Sequence, residues 1–196
     1  TLLSLFADDE QQAIAIGQQA LARFNERCNH HYSLGMQAKL GLVNHEEGDV
    51  GLVTELLTLM QQHAADYTNT FRRLSGRAAV SAENHGTEAN ALPRTEALFA
   101  AAEFTAWAGR WWARIKQQSI SPAEALTNMR AVNPAVIPRN HKVEEALAAA
   151  VSTGDLSVME SLLEALKNPF VETEANLAYR SPAPETGEPY RTFCGT

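Results

Sequence analysis

The sequence predicts an all-α fold, an irregular bundle of about seven helices followed by an extended, proline-containing C-terminal tail. Ala and Leu supply 53 residues whereas Val and Ile supply only 15, and unbranched side chains favour helices because they lose little rotamer freedom there. No stretch alternates apolar and polar residues as a half-buried strand would. Apolar residues instead recur every three or four positions, between residues that typically begin and end helices.

The first helix is expected to run from about Asp9 to Leu40, because acidic residues at its start suit the positive end of the helix dipole. Gly17 and Gly35 predict a bend or break, and Gly41 is placed to end the helix. Five residues share one helical face: Ile14, Leu21, Phe24, Cys28 and Tyr32.

Two shorter helices are expected after a polar loop. Asp66 can cap the second of them, which ends at Leu74. Residues 75–92 are rich in Ser, Gly, Asn and Ala, and this composition predicts an exposed loop. The first of the two begins at or near Asp49 and turns five apolar residues inward: Leu52, Val53, Leu56, Leu57 and Met60.

The fourth helix is expected to reach from about Thr95 to Gln118. The fifth begins after Ser121, because a proline at the next position and a glutamate three residues on form a strong start signal. It ends before Pro134, since the residue preceding a proline disfavours the helical conformation.

The last two helices are bounded by similar signals. One is expected over residues 140–151, with Gly154 as its stop. Ser157 and Glu160 form a capping box that opens the other, which is expected to end at residue 166.

The tail differs in composition from the rest of the chain. Prolines stand at positions 169, 182, 184 and 189, and aliphatic residues are few, so an extended conformation is predicted. We therefore divide the chain into a helical domain, residues 1–167, and an extended tail, residues 168–196, that carries Cys194.

Charge is unevenly distributed within the formal net charge of −7. Residues 1–66 carry 3 basic and 9 acidic side chains, residues 67–142 carry 10 and 5, and residues 143–196 carry 3 and 9. The simpler interpretation is that the acidic ends pack against the basic middle of the same chain. The alternative is a basic face that docks an acidic partner.

Motifs for catalysis are missing from these 196 residues. There is no G-x-x-x-x-G-K-[ST] phosphate-binding loop and no G-x-S-x-G turn. Glu26 and His30 are four residues apart and could share a metal with a third ligand, but a polar helix face is the simpler interpretation. The loop after His45 is acidic but lacks the pattern of an EF-hand. We therefore expect no catalytic, cofactor-binding or metal-binding residue in this chain.

A cluster of tryptophans and arginines lies on the fourth helix, and such clusters can stack on bases or cations: Trp107, Arg110, Trp111, Trp112 and Arg114. Core packing with the arginines at its edge is favoured, because one helical face carries Phe104, Ala108, Trp111 and Ile115.

The two cysteines are too few for a disulfide scaffold or a four-cysteine zinc site. Cys28 lies on the apolar face of the first helix and is expected to be a buried small hydrophobe. Cys194 lies third from the end of the tail, so we expect it to be a free thiol that reacts well before Cys28.

Composition also limits the expected partners and location. No apolar run exceeds six residues, which predicts no membrane span, and the acidic balance argues against nucleic acid as the main partner. We expect a cytoplasmic protein, because neither a basic-then-apolar leader nor an Asn-x-Ser/Thr acceptor is present. The chain starts at Thr1 without a methionine, so we expect it to be a piece of something larger.

An ordered set of short segments, from about Cys28 to the end, resembles the C-terminal half of the selenoprotein O family. A variable gap falls at residues 75–95. The segments are Lys39–Leu42, Leu56-Leu57 with Met60, Asp66–Thr68, Phe71–Leu74, Met129, Asn133-Pro134, Ile137–Asn140, Asp155, Leu162-Leu163, Leu166, Pro169-Phe170 and Tyr190–Thr196.

The resemblance implies a function that the residues alone do not. The family is similar to protein kinases in fold, yet transfers AMP from ATP to hydroxyl side chains of proteins. Its ATP and Mg²⁺ sites lie in an N-terminal kinase-like part, so this chain is expected to be a scaffolding and regulatory C-terminal domain that is inactive alone. Its partners would be that kinase-like part and the protein substrates. A helical portion separated from the kinase-like part should expose an apolar patch that normally packs on it, and we expect the first helix, with Ile14, Leu21 and Phe24, to carry this patch.

Cys194 is the single site residue that the resemblance implies. It stands where animal members carry selenocysteine, and the family's terminal Cys or selenocysteine is implicated in redox control through a bridge to the activation segment. From the residues alone, a free-standing helical protein-interaction module without enzymatic activity remains the alternative.

Overall fold

The structure, a computed structural model, describes residues 2–76 and 93–184. Within these ranges it contains helices and no strand, which confirms the all-α prediction. No described helix is long and apolar enough to span a membrane. The α-helices are α1 (Glu10–Lys39), α2 (Asp49–Gln62), α3 (Tyr67–Gly76), α4 (Pro93–Ala100), α5 (Ala102–Lys116), α6 (Pro122–Val132), α7 (Asn140–Thr153) and α8 (Ser157–Leu166). Two 3-10 helices cover Leu2–Leu5 and Glu174–Tyr179.

The ends of α1 follow the local signals in the sequence. The Asp9 carboxylate accepts a hydrogen bond from the backbone N–H of Gln12 at 2.8 Å, which caps the first turn. Gly41 stops the chain with a φ of +72°, a conformation that glycine adopts without strain. The predicted break at Gly17 or Gly35 is wrong, because α1 is one continuous helix of 30 residues.

The starts of α2 and α3 were also predicted correctly. Asp49 is the first residue of α2, and Asp66 accepts a hydrogen bond from the backbone N–H of Asn69 at 2.8 Å. Of the five residues expected to face inward from α2, three are buried and two are partly buried against the core. The predicted loop over 75–92 lies almost entirely outside the described residues.

The single fourth helix is the main error in the predicted helix order. Ala101 is extended, with ψ at 141°, and separates α4 from α5. The ring centroids of Phe99 and Phe104 are 4.5 Å apart. On one continuous helix these rings would point about 140° apart, so the break lets both contribute to one core.

On the C-terminal side, some of the predicted helix boundaries are confirmed and one predicted capping box is wrong. Ser121 accepts a hydrogen bond from the backbone N–H of Glu124 at 3.2 Å, and Gly154 ends α7 with φ at +71°, as predicted. The capping box at Ser157 does not form. The Asp155 carboxylate instead accepts the backbone N–H of Ser157 at 2.9 Å, so the acid two residues earlier serves as the cap.

The core lies between the C-terminal end of α1 and helices α2 to α6, and it confirms the structural interpretation of the tryptophans. Trp107 and Trp111 are fully buried, with nearly parallel rings 5.8 Å apart. Their indole N–H groups donate to backbone oxygens of Leu52 and Leu40, each at 2.9 Å. Both rings therefore bury a large apolar surface without leaving their polar atoms unpaired.

Ion pairs join the basic middle of the chain to its acidic flanks, in agreement with the simpler interpretation of the charge distribution. Arg114 was expected at the edge of the core but is buried, and it contacts Asp49 at 2.8 Å. Further pairs of this kind are Arg139 with Asp66, Arg72 with Glu172, Arg110 with Glu55, and Lys142 with Glu145.

The described part of the tail, residues 168–184, folds back onto the helices and is not wholly extended, since it contains the second 3-10 helix. The Pro169 carbonyl accepts backbone N–H groups of Ala135 and Val136 at 2.7 and 3.2 Å. The Arg180 carbonyl accepts the amide of Asn69 at 3.0 Å. A division of the chain at residue 167 stays a prediction, and Cys194 lies outside the described residues.

Candidate interaction surface

The middle of α1 projects from the bundle, because every residue from 18 to 32 is exposed. The apolar face of this helix is therefore solvent-exposed, as expected for Ile14, Leu21 and Phe24. We call it the α1 apolar face: Ile14, Leu21, Phe24, Cys28 and Tyr32. Leu21, Phe24 and Tyr32 are 65%, 62% and 59% exposed, values typical of surface residues. The prediction that Cys28 is buried is wrong for the same reason.

The α1 apolar face points away from the protein's own core. At 100° per residue, the directions of Leu21, Phe24 and Cys28 average about 130° round the axis from those of the residues that α1 buries near its end. Those buried residues are Met36 and Gln37 within the helix and Leu40 just after it. The helix thus has one apolar side for its own bundle and another that its own bundle leaves uncovered.

The C-terminal end of α1 is firmly anchored and so fixes the direction of the exposed part. Lys39 Nζ lies 5.5 and 5.4 Å from the ring centroids of Tyr67 and Phe71 and donates to Asn133 at 3.2 Å. The Asn133 amide donates in return to the Lys39 carbonyl at 2.8 Å. Burial lowers the pKa of the Lys39 ammonium, whereas burial and the nearby Tyr32 raise the pKa of Tyr67.

At the other end, the first 3-10 helix packs on α1 and extends the apolar surface. Ala13 of α1 is buried where this short helix contacts it. Leu2 and Leu5 are themselves about four-fifths exposed, at 80% and 79%, and Phe6 is 49% exposed. Contiguous apolar surface of this kind is typical of interaction sites.

The α1 apolar face has a basic edge, whereas the side of the helix opposite to the face is largely uncharged. On one side, Arg23, Arg27 and His31 follow each other at intervals of four residues, and we call them the α1 basic row. Together with Ala20, Phe24 and Cys28 they line a shallow depression. The opposite side of the helix carries small and uncharged polar residues and one acid: Ala15, Gln18, Gln19, Ala22, Glu26 and Asn29.

A separate groove of about 420 Å³ lies between α1 and α2. Its floor is polar in part: Gln37 donates to Ser33 at 3.4 Å, and its amide nitrogen lies 2.8 Å from His45 Nδ1. Asp49 also borders the groove, but its carboxylate is paired with Arg114. The groove therefore offers no unpaired charge from this pair for a ligand.

Glu26 and His30, the two residues that could share a metal, lie on α1 within the described residues 2–76 and 93–184. No group of three His, Cys, Asp or Glu there could hold a metal, so Glu26 and His30 lack a third ligand within these ranges. Both are exposed residues of α1. Sequence reasoning identified the apolar face of α1 and expected Ile14, Leu21 and Phe24 to be exposed, but it expected Cys28 on the same face to be buried.

A helical unit that buries its own core and yet exposes an apolar helix face is typical of one part of a larger protein. Comparison with known proteins supports this description. The chain is 49% identical over its whole length to the protein nucleotidyltransferase YdiU of Geobacillus kaustophilus (strain HTA426) and covers 38% of that relative. It is 43% identical over its whole length to the protein of the same name from Bacillus cereus (strain AH187), and covers 37% of it.

The sequence profile of the family described as "Protein adenylyltransferase SelO" matches residues 5–167. The chain therefore belongs to the SelO family, and it spans somewhat over a third of the length of these curated relatives.

Proposed function

We propose that this chain is the helical scaffolding and regulatory C-terminal domain of a protein adenylyltransferase, and that the α1 apolar face packs against the rest of the full-length polypeptide. The observation that carries the proposal is the long projecting helix, which exposes aliphatic, aromatic and cysteine side chains along one face. The length of the relatives supports it, because the chain covers only 38% of the Geobacillus protein while matching it from end to end.

In this proposal the transfer of AMP from ATP to protein hydroxyl groups takes place elsewhere in the full-length protein. Phosphoryl-group chemistry of this type needs groups that cradle phosphates and carboxylates that hold Mg²⁺. The sequence of this chain has no phosphate-binding loop motif. ATP and Mg²⁺ would therefore bind to the kinase-like part, and the role of α1 would be to support that part.

The proposal also includes a regulatory role for Cys194. By exchange with a small-molecule disulfide, which would be reduced to two thiols, its thiol and a cysteine thiol of the kinase-like part would be oxidised to a reversible disulfide. The bond would restrain that part when oxidised and release it on reduction. Support comes from the fold-back of residues 168–184, since hydrogen bonds at Pro169 and Arg180 hold the start of the tail on the bundle. The test compares full-length wild type with Cys194→Ser, with and without reductant. A wild type that ignores reductant, or a mutant that responds equally, contradicts this role.

A free-standing interaction module is the alternative function. It shares the exposed helix face but requires no other part of the polypeptide. Measurement of AMP transfer by the full-length protein separates the two functions.

The experiment is AMP transfer from labelled ATP to a generic protein acceptor, measured for the isolated chain and for the full-length protein. We expect no transfer by the isolated chain, and robust labelling by it would contradict the proposal. In the full-length protein, Phe24→Asp places a charge in the docked face and should reduce both transfer and stability. Gln19→Asp adds the same charge on the other side of α1 and should leave both nearly unchanged. Equal effects of the two variants would also count against the proposal.

A further inference from the structure

We propose that Arg23 and Arg27 bind carboxylates on the rest of the full-length polypeptide, so that the α1 apolar face docks on an apolar surface with an acidic rim along one edge. This inference rests on the proposed function, because it specifies the chemistry of the surface that covers α1.

The α1 basic row lies in a segment of the chain that is otherwise mostly acidic. Residues 1–66 carry 9 acidic side chains but only three basic ones, Arg23, Arg27 and Lys39. Lys39 is partly buried against the rings of Tyr67 and Phe71, whereas both arginines are exposed beside the apolar face. Two of the three cations of an otherwise acidic segment thus border the one long apolar helix face that it exposes.

Neither arginine has a carboxylate partner in the part of the chain that the structure describes. Within residues 2–76 and 93–184, neither Arg23 nor Arg27 forms an ion pair. They stand at i and i+4, where two like charges destabilise an isolated helix by a few tenths of a kcal/mol. Other arginines of the chain, Arg72, Arg114 and Arg139, are paired with carboxylates, so the exposed pair on α1 departs from the pattern of the fold.

A second copy of the chain would not supply the missing carboxylates through the same face. In an antiparallel two-fold pair of α1 helices like edges meet, so the basic row of one copy would lie against that of the other. In a parallel two-fold pair the basic row would meet the opposite edge, where Asn25 and Tyr32 lie. The carboxylates of α1 are limited to Glu10 and Glu26, and neither lies on that edge.

An apolar surface with an acidic rim on the larger part of the protein would match both the α1 apolar face and the α1 basic row. Apolar contacts would cover Leu21 and Phe24, and the guanidinium groups at the edge would bind carboxylates in two-point contacts. Charge pairs at the rim set the register of docking and weaken with salt, because the Debye length falls from about 10 Å at 0.1 M to about 3 Å at 1 M.

The thiol of Cys28 reports docking directly, because it lies in the middle of the α1 apolar face and is exposed in this chain. The measurement is its alkylation rate by a maleimide in the full-length protein, followed by mass spectrometry of the peptide and divided by the rate for the same protein unfolded in urea. We expect docking to slow alkylation by about tenfold or more in the wild type at low salt.

Two double variants with the same change of net charge test the arginines. Arg23→Gln with Arg27→Gln removes the row, and Gln18→Glu with Gln19→Glu adds two negative charges on the other side of α1. We expect the first to alkylate about three- to tenfold faster than wild type at low salt and to lose most of the salt dependence. The second should match wild type. Removal of the two arginine charges by itself disfavours the reactive thiolate of Cys28 and slows alkylation. A faster rate in this variant therefore shows that the α1 apolar face has become less covered.

Each remaining outcome has a distinct meaning. If Arg23→Gln with Arg27→Gln behaves as wild type while Phe24→Asp frees Cys28, docking stands and the acidic rim is wrong. If Cys28 of the wild type already reacts as fast as in Phe24→Asp and in the unfolded protein, the proposed function itself fails. If light scattering finds a full-length dimer that Phe24→Asp dissociates, the occupant is a second copy, which overturns the inference.

Discussion

Gly41, at the end of α1, offers a stringent test of how this fold is held, because Gly154 provides a matched control. Both residues have positive φ, at +72° and +71°. A Cβ atom on Gly154 would meet nothing within 4 Å. A Cβ atom on Gly41 would lie 2.8 Å from Cγ and 2.9 Å from Sδ of Met129, and 3.1 Å from the backbone oxygen of Ala125.

The two Gly→Ala substitutions should therefore differ by the cost of the clash alone. A left-handed conformation costs an L-residue about 1–2 kcal/mol, and the reduced entropy of the unfolded chain returns about 0.4–1 kcal/mol. Gly154→Ala should thus lower the free energy of unfolding by roughly 0.5–1 kcal/mol. Gly41→Ala adds overpacking of about 1–3 kcal/mol, because the Ala125 oxygen belongs to the backbone of α6 and cannot turn aside as a side chain can.

Urea and thermal unfolding of the two variants measure this difference. A free-energy difference of about 1–3 kcal/mol corresponds to roughly 2–12 °C in Tm for a chain of this size. Both variants should retain the helical circular dichroism of the wild type. Equal Tm values would refute the reasoning, since they would mean that Met129 and α6 do not approach Gly41 as closely as described.

Three further predictions concern charge and exposure. Arg114→Met should lower the free energy of unfolding by about 3–5 kcal/mol, because it leaves the Asp49 carboxylate buried without its partner. Urea unfolding measures this cost and should show that adding Asp49→Asn recovers part of the loss. A cost below about 1 kcal/mol for the single variant contradicts the prediction. Burial raises the pKa of Glu172, but the hydrogen bond from Arg72 and the charges of nearby arginines outweigh it, so the pKa lies below its usual value. Ionised Glu172 therefore stabilises the fold above its unfolded pKa, and this stabilisation is lost as the pH falls through the lowered folded-state pKa. The free energy of unfolding in urea should therefore fall less with acid in Glu172→Gln than in wild type. Identical pH profiles of the two proteins contradict this. In the isolated chain, Cys28 should react with a maleimide within about tenfold of its rate in urea, as expected for an exposed thiol, and a rate about a hundredfold slower would show that the α1 apolar face is covered.

Local chemistry was enough to place most helix ends from the sequence. The acceptors at Asp9, Asp66 and Ser121 act within three residues of themselves, and Gly41 and Gly154 supply conformations that few other residues adopt. The capping box at Ser157 failed because Asp155, only two residues away, competes for the same backbone N–H.

Longer-range features could not be predicted in the same way. Ala101 is a good helix former, and its extended conformation follows from the packing of Phe99 with Phe104 rather than from its own preference. The burial of Arg114 depends on Asp49, which is 65 residues away in the sequence. Neither the break between α4 and α5 nor the buried ion pair is indicated by the residues next to it in the sequence.

Cys28, on the α1 apolar face, shows why a correct pattern gave a wrong location for one residue. A period of 3.6 residues indicates that one side of a helix is buried but does not say against what. The same sequence pattern is expected whether the face packs on its own bundle or on another part of a longer polypeptide. The exposure of Leu21 and Phe24 in the structure is what separates these two cases.

The most direct test of the central claim, that α1 supports the rest of a protein adenylyltransferase, is amide hydrogen exchange over residues 18–32 in the full-length protein and in the isolated chain. The account predicts that these amides exchange about tenfold or more slowly in the full-length protein, because docking adds to the free energy of opening. Equal exchange rates in the two proteins would contradict it.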